Sequence, residues 1–231
     1  MAAVEIFSYE ACPFAQRTRM VLIEKGIAFD LTEIDPYDRP AWFGDVSPYG
    51  KVPVLRHEGH VVYESAIINQ YLDEVFPEPR MMPADPYGRA QARIWMDYCE
   101  TRYLPTAHRL MAERAQPGKL KENREKLAEV MRFIEHEGLR KLSSGPYWMG
   151  TTPTLVDFQF LPFFERFAVY EELAGAEWPE DCSRLRHWYE TAGQRPSFIE
   201  TRHTLDFHLD VQRRFAERRA AAASARASAS Q

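Results

Sequence analysis

Alternation between apolar and polar residues marks the first element of the chain. Residues 4–9, Val-Glu-Ile-Phe-Ser-Tyr, alternate after the first position, and a period of two predicts a β-strand. Residues 13–25 instead place their apolar side chains on one helical face, and Gly26 stands where a left-handed C-cap belongs. The chain therefore begins with a strand and an amphipathic helix.

The next fifty residues continue this unit. A second apolar run covers residues 27–34, turn residues follow, and residues 40–46 fit a short helix. The residues His57-Glu58-Gly59-His60 predict a hairpin turn that joins a strand at Val54 and Leu55 to a strand at residues 61–63. An apolar helical face then extends to Val75. The predicted order is β-α-β-α-β-β-α over residues 1–76.

The remainder of the chain is predicted to be helical. Four prolines interrupt residues 77–86, which we interpret as a linker. Beyond it, helical patterns cover residues 87–114, 119–142, 154–173 and 181–193 in a second domain that ends near residue 219. Thr154 and Asp157 have the spacing of a capping box, whereas Pro162 predicts a kink or a later helix start. The Ala/Ser-rich residues 220–231 are predicted to be disordered.

Composition narrows the function classes. The 231 residues are 45% hydrophobic, enough for a substantial core, and a net charge of -5 argues against a nucleic-acid partner. No apolar run approaches the ~18 residues of a spanning helix, and the first four residues lack the features of a signal peptide. Three widely separated cysteines suit a reducing compartment, and no metal-binding spacing appears. We therefore expect a cytoplasmic protein without a metal or membrane partner.

Cys12 is the candidate nucleophile. It lies between the first strand and a helix that starts with Pro13, so it falls at or beside the N-cap. Free backbone N–H groups and the positive end of the helix dipole favour a thiolate there. The alternative is that Cys12 is a small apolar residue buried at the strand end.

The loop before the hairpin is the second candidate feature. Pro53 has no N–H for a sheet ladder, so it belongs at a strand start, an edge or a bulge. It can instead be held in the cis form, which leaves the backbone of Val52 free to pair with an extended ligand.

Three motifs together resemble cytosolic glutathione transferases. Residues 12–17, Cys-Pro-Phe-Ala-Gln-Arg, resemble the active-site start of the omega and lambda classes, which use cysteine where most classes use serine or tyrosine. Residues 39–43 and 51–54 resemble the glutathione-binding loop and its cis-proline turn, and residues 63–74 resemble the segment that holds the glutamyl end. The resemblance implies an N-terminal thioredoxin-like domain, an all-helical C-terminal domain and a homodimer.

The resemblance also implies a glutathione site, for which the candidates are Phe14, Arg39, Lys51, Val52, Pro53, Glu64 and Ser65. The backbone of Val52 can pair with the cysteinyl residue of glutathione. Ser65, at a helix start, can bind a carboxylate through its hydroxyl and the free N–H groups, and Glu64 can bind the ammonium group of glutathione. Arg39 and Lys51 are candidates for the glycyl carboxylate, although the family has a lysine where Arg39 stands. Taken alone, Lys51 and Glu64 also fit solvated surface charges.

Ala15 restricts the chemistry of Cys12. Because no second cysteine stands at position 15, Cys12 cannot resolve its own mixed disulfide, and a second glutathione is needed. We expect a thiol transferase that acts on mixed disulfides, and the omega resemblance implies dehydroascorbate reduction as well. The candidate walls of a second-substrate pocket are aromatic residues that equally fit core positions: Phe14, Trp95, Tyr98, Phe164 and Phe167.

Two other functions remain open from the sequence. A lyase or etherase that removes glutathione from a glutathionyl thioether would use the same cysteine. Residues 63–77 also resemble stringent starvation protein A, a non-enzymatic transferase-fold partner of bacterial RNA polymerase. Cys12-Pro13-Phe14 favours an enzyme, because that protein has no catalytic role for a cysteine at this position.

Overall fold

The computed structural model describes residues 3–229. Positions 1–2 lie outside the described residues, and so do positions 230–231, the end of the Ala/Ser-rich stretch for which disorder was expected. The first part of the chain has the predicted order β-α-β-α-β-β-α, which is confirmed. Its elements are β1 (Val4–Ser8), α1 (Pro13–Glu24), β2 (Phe29–Glu33), α2 (Phe43–Val46), β3 (Val54–His57), β4 (His60–Tyr63) and α3 (Ser65–Val75).

The four strands form one sheet in the order β2-β1-β3-β4. β1 runs parallel to β2, with Ile6 opposite Leu31, and antiparallel to β3, with Ile6 opposite Leu55. Glu58 and Gly59 both have positive φ, at 50° and 82°, as a two-residue hairpin turn between β3 and β4 requires. The central position of β1 brings the start of α1 next to the residues that precede β3.

The connection from α3 to the helical region is fixed by a buried ion pair. Lys25 Nζ lies 2.8 Å from Asp73 Oδ1 and also donates to the carbonyl oxygens of Phe76 and Pro79 at 2.7 and 2.8 Å. Asp73 accepts from the amides of Met81 and Met82 at 2.8 and 3.0 Å. The proline-rich linker expected at residues 77–86 is therefore held against the first domain by specific bonds.

The second part of the chain is helical, as predicted. Two π-helical turns, Cys99–Tyr103 and Ile134–Leu139, join α4 to α5 and α6 to α7. The α-helices are α4 (Pro86–Tyr98), α5 (Leu104–Glu113), α6 (Pro117–Phe133), α7 (Arg140–Leu142), α8 (Leu155–Glu165), α9 (Phe167–Ala174), α10 (Ser183–Ala192), α11 (Pro196–Thr201) and α12 (Leu205–Ala229).

Three details differ from the sequence prediction. The helix expected over residues 154–173 divides at Arg166, whereas Pro162 lies inside α8. No helix was predicted at α11. α12 extends to Ala229 through the Ala/Ser-rich stretch for which disorder was expected, because alanine has the highest helix propensity of all residues.

The buried helix α8 forms the centre of the helical domain. All of its residues are buried, and the predicted capping box is present, with Thr154 and Asp157 bonded to each other's backbone. Asp157 Oδ1 also accepts from the Trp148 amide and from Trp188 Nε1, at 3.0 and 2.8 Å. α8 contacts α1 directly, so the core of the helical domain supports the helix that begins beside Cys12.

Candidate functional site

Cys12 occupies the N-cap position of α1. Its backbone is extended, with φ -81° and ψ 116°, and Pro13 follows as the first helical residue. The Cys12 amide donates to the Tyr9 carbonyl at 2.9 Å, and Cys12 Sγ lies 3.9 Å from the Val52 carbonyl oxygen. Cys12 is half-buried, whereas Cys99 and Cys182 are buried. Of the three cysteines, the one at the helix start is the least buried.

Opposing effects act on the ionisation of Cys12. Burial raises the pKa of the thiol above its ordinary value, and hydrogen bonds from the Ala15 and Phe14 amides and the charges of Arg166 and Arg17 lower it. The net shift of the pKa is upward because desolvation is the largest effect. The sequence expectation of a favoured thiolate is therefore corrected: the contribution of the helix start is present, but burial outweighs it.

A groove with a cavity volume of about 110 Å³ lies beside Cys12. Six of the residues predicted for glutathione line it together, namely Phe14, Lys51, Val52, Pro53, Glu64 and Ser65. Three further residues complete its wall: Ser47, Tyr49 and Tyr63. Arg39 is not among the lining residues. Its charged lining residues are one lysine, Lys51, and one glutamate, Glu64.

The loop before β3 presents the backbone of Val52. The Val52–Pro53 peptide bond is cis, and the Val52 amide has no backbone partner among residues 3–229. Ser47 Oγ accepts from the Lys51 amide at 2.9 Å and donates to the Lys51 carbonyl at 2.8 Å. Arg39 donates to the Gly50 carbonyl at 2.7 Å, so its side chain braces this loop from outside the groove.

The start of α3 also lines the groove. Glu64 has φ 66°, an uncommon conformation for a residue other than glycine. Its carbonyl accepts from the amides of Ile67 and Ile68, both at 2.8 Å, which leaves the first two amides of α3, those of Ser65 and Ala66, directed outward. The hydroxyl and amide of Ser65 can therefore bind an anion.

Arg17 is a buried charge beneath this helix start, and the sequence did not assign it a role. Its side chain is 2% exposed, Nε donates to Ser65 Oγ at 2.8 Å, and Nη2 donates to Glu100 Oε1 at 2.7 Å. The guanidinium also lies 5.1 Å from the centroid of the Phe14 ring. Because Ser65 Oγ accepts from Arg17, its own hydrogen is available to a ligand.

The aromatic residues considered for a second-substrate pocket lie elsewhere. Trp95, Phe164 and Phe167 are buried in the hydrophobic core of the helical region. Tyr98 is half-buried and stacks on Phe133, with ring centroids 5.0 Å apart. Phe14 alone among the five lines the groove, and its ring contacts that of Phe163 at 5.2 Å. The other four thus occupy the packing positions that were the alternative interpretation.

No group of three or more potential metal-ligating side chains occurs within residues 3–229. In the same part of the chain, no helix combines the length and apolar character needed to cross a membrane.

The sequence and the structure are both similar to proteins of one family. A family model described as "Glutathione S-transferase, N-terminal domain" matches residues 11–75, and one described as "Glutathione S-transferase, C-terminal domain" matches residues 117–191. The chain is 34% identical to glutathione S-transferase omega-1 of Mus musculus, over 88% of this chain and 81% of the relative. It is 32% identical to glutathione S-transferase U24 of Arabidopsis thaliana, over 84% and 87%.

Solved structures show the same relationship. Glutathione transferase Omega 3C from Trametes versicolor superposes with a TM-score of 0.81 at 29% identity, covering 88% of this chain and 90% of that one. The rice transferase GST1, solved in complex with glutathione, gives a TM-score of 0.83 at 28% identity, covering 93% and 98%.

Proposed function

The chain belongs to the glutathione S-transferase family, and we propose that it is a glutathione-dependent thiol transferase in which Cys12 attacks mixed disulfides. The observation that carries this proposal is the position of Cys12 Sγ, at a helix start and 3.9 Å from the Val52 carbonyl on the groove wall. Relatives of both the omega and the tau class are similar to the chain. The cysteine at position 12 favours the thiol-transferase chemistry expected from the omega resemblance.

The groove matches the functional groups of glutathione. This tripeptide carries two carboxylates and one ammonium along an extended chain, with its thiol in the middle. Ser65 and the free amides at the start of α3 fit the glutamyl carboxylate, and Glu64 fits the ammonium. The Val52 backbone fits the cysteinyl residue, and Lys51 fits the glycyl carboxylate. Such a pose brings the ligand sulfur beside Val52, whose carbonyl oxygen lies 3.9 Å from Cys12 Sγ.

The proposed cycle has two thiol–disulfide exchanges. The Cys12 thiolate attacks the glutathionyl sulfur of a mixed disulfide, a bond forms between the two sulfurs, and the other thiol leaves with the electron pair. A second glutathione thiolate then attacks the Cys12-bound glutathionyl sulfur, which yields oxidised glutathione and frees Cys12. Ala15 cannot carry out this second step, so external glutathione is required. We propose dehydroascorbate, reduced by two glutathione molecules, as a further substrate of the same site.

Replacement of the nucleophile tests the proposal. In an assay that couples the formation of oxidised glutathione to a reductase, Cys12→Ala is expected to lose turnover of a small mixed disulfide, because the attacking atom is gone. Cys182→Ala removes a buried thiol in the helical region, and this variant is expected to keep wild-type turnover of the mixed disulfide. Wild-type turnover in Cys12→Ala would contradict the proposal.

Two results of related assays would favour the other functions. Release of glutathione from an α-thioether ketone, faster than disulfide reduction, would favour a lyase or etherase. Failure of the wild-type protein to be retained on immobilised glutathione would favour a non-enzymatic binding protein.

We also propose that the enzyme is a cytoplasmic homodimer. Ile67 on α3 and Ile94 on α4 are 54% and 55% exposed. Arg93 Nε donates to Gln70 Oε1 at 3.0 Å and Arg89 Nη2 lies 3.7 Å from Glu74 Oε1, so side chains of α4 reach α3 at two points. The face therefore combines apolar groups from both domains, as an interface between the first domain of one subunit and the helical domain of its partner requires.

A further inference from the structure

Arg166, at the junction of α8 and α9, reaches across the domain boundary to the residues around Cys12. Its Nη2 donates to the carbonyl of Ala11 at 3.2 Å, and its Nη1 donates to Gln16 Oε1 at 2.8 Å and to the Pro162 carbonyl at 2.5 Å. Only 12% of the side chain is exposed. These three acceptors hold the guanidinium in a fixed position next to the start of α1.

The charge of Arg166 is not neutralised by a directly bonded carboxylate. Every acceptor in the three bonds is neutral, and the nearest acid, Glu165, lies 3.9 Å away. The oxygens of Glu165 already accept from Gln16 Nε2 at 2.5 Å and the His203 amide at 2.9 Å, and His208 Nε2 lies at 2.6 Å. The hydrogen bonds of Glu165 thus come from other donors, and its carboxylate stays in a longer ion pair with Arg166.

The other arginines near Cys12 are arranged differently. Arg17 donates directly to the Glu100 carboxylate, which offsets its charge. Arg19 donates to Ser8 Oγ and to the carbonyls of Tyr9 and Glu10, and the carboxylates of Glu10 and Glu33 act on it. Tyr170 also faces Arg166 and has a raised pKa, to about 12, because it is buried. Arg166 and Arg17 both lower the pKa of Cys12, and Arg166 is the one that also donates to the backbone carbonyl of the residue before Cys12.

We propose that Arg166 is a positioning residue that holds the start of α1 against the helical domain and supplies the positive charge that stabilises the Cys12 thiolate. This role rests on the proposed function, in which that thiolate is the nucleophile. In this role, a residue of the helical domain affects the ionisation of a cysteine in the first domain. The direction of the charge effect agrees with the lowering of the Cys12 pKa by Arg166.

The rate of alkylation of Cys12 by iodoacetamide, followed on the Cys12 peptide by mass spectrometry across pH, tests this role without glutathione. Because burial raises the pKa of the thiol, the wild-type midpoint is expected above that of a free cysteine. In Arg166→Gln the midpoint is expected to rise by about one further pH unit, so the rate falls about tenfold at a fixed pH below it. Arg166→Lys keeps a positive charge and is expected to restore most of the rate.

Arg184 provides a matched control. It also donates to three carbonyls, those of Gly145, Pro146 and Tyr147, but lies on α10. Arg184→Gln is therefore expected to keep the wild-type midpoint. A wild-type midpoint in folded Arg166→Gln, or an equal rise in Arg184→Gln, would overturn the proposal.

A second variant covers the case in which Arg166→Gln does not fold. Arg166→Met keeps the length and the apolar stem of the side chain at the domain boundary and removes its charge. The midpoint is expected to rise here too, and an unchanged midpoint would overturn the proposal. Failure of the proposed function is a separate result, since a normal midpoint shift without any disulfide turnover would refute the thiol transferase and leave Arg166 in its role.

Discussion

Ser65 is the side chain on which binding of the glutamyl carboxylate depends most directly. Its hydroxyl accepts from the buried Arg17 at 2.8 Å and is free to donate to a ligand. Ser65→Ala is expected to raise the KM for glutathione about tenfold, as loss of a hydrogen bond to a charged group does. The value of kcat should change little, because the contact exists before and during the reaction.

Ser183 is a matched control for this substitution. It is the first residue of α10 and accepts from Arg140 at 3.1 Å, as Ser65 does from Arg17 in α3. Steady-state kinetics of Ser183→Ala should give the wild-type KM. A similar rise in both variants would refute a specific carboxylate contact at Ser65.

The sequence predicted some site residues and missed others for a physical reason. Cys12, Val52 and Ser65 lie in short segments whose chemistry is local: a helix start, a loop before a strand and another helix start. Arg17 and Arg166 are charged, and charge alone favours the surface. Their burial depends on acceptors far along the chain, such as Glu100 for Arg17 and Ala11 for Arg166, which no local pattern reveals.

At the level of elements, α8 depends on Asp157. Its carboxylate accepts from the backbone and hydroxyl of Thr154, from the Trp148 amide and from Trp188 Nε1. Asp157→Ala leaves these buried donors without a partner and is expected to lower the free energy of unfolding by about 3 kcal/mol or more. Urea unfolding followed by tryptophan fluorescence measures the loss.

The capping residue of α4 offers the comparison. Asp85 is exposed and accepts from the Gly88 amide at 2.8 Å, so Asp85→Ala should cost only about 1 kcal/mol. Equal losses in the two variants would contradict the role assigned to Asp157. The capping box could be predicted from the four residues 154–157. The hydrogen bond from Trp188 could not, because it forms only when the helices pack together.

Element boundaries show the same limit of local patterns. The helix expected across residues 154–173 ends at Glu165, and Arg166, with φ -81° and ψ 0°, separates it from α9. The later helix start that Pro162 suggested is wrong, because Pro162 lies within α8. The local sequence, which is mostly apolar on both sides of Arg166, does not predict this break.

At the scale of the whole molecule, the dimer proposal depends on the exposed face of α3 and α4. A charge placed there should oppose association, because it must be desolvated in the interface. Ile94→Glu is expected to sediment as the 26.9 kDa chain, and the wild type at twice that mass. Ile199→Glu alters a similarly exposed isoleucine on α11 and should remain dimeric. A wild-type protein that sediments only as the single chain at low concentration would contradict the dimer.

The central claim is that Cys12 forms a mixed disulfide which only external glutathione can resolve. Wild-type enzyme is incubated with a glutathionylated thiol in the absence of free glutathione. The reaction is quenched with acid, the protein is digested, and the peptide masses are measured by mass spectrometry. The account predicts one glutathionyl group on the Cys12 peptide, stable until free glutathione is added and then released as oxidised glutathione. An unmodified Cys12 peptide during turnover, or a glutathionyl group on Cys99 or Cys182 instead, would contradict it.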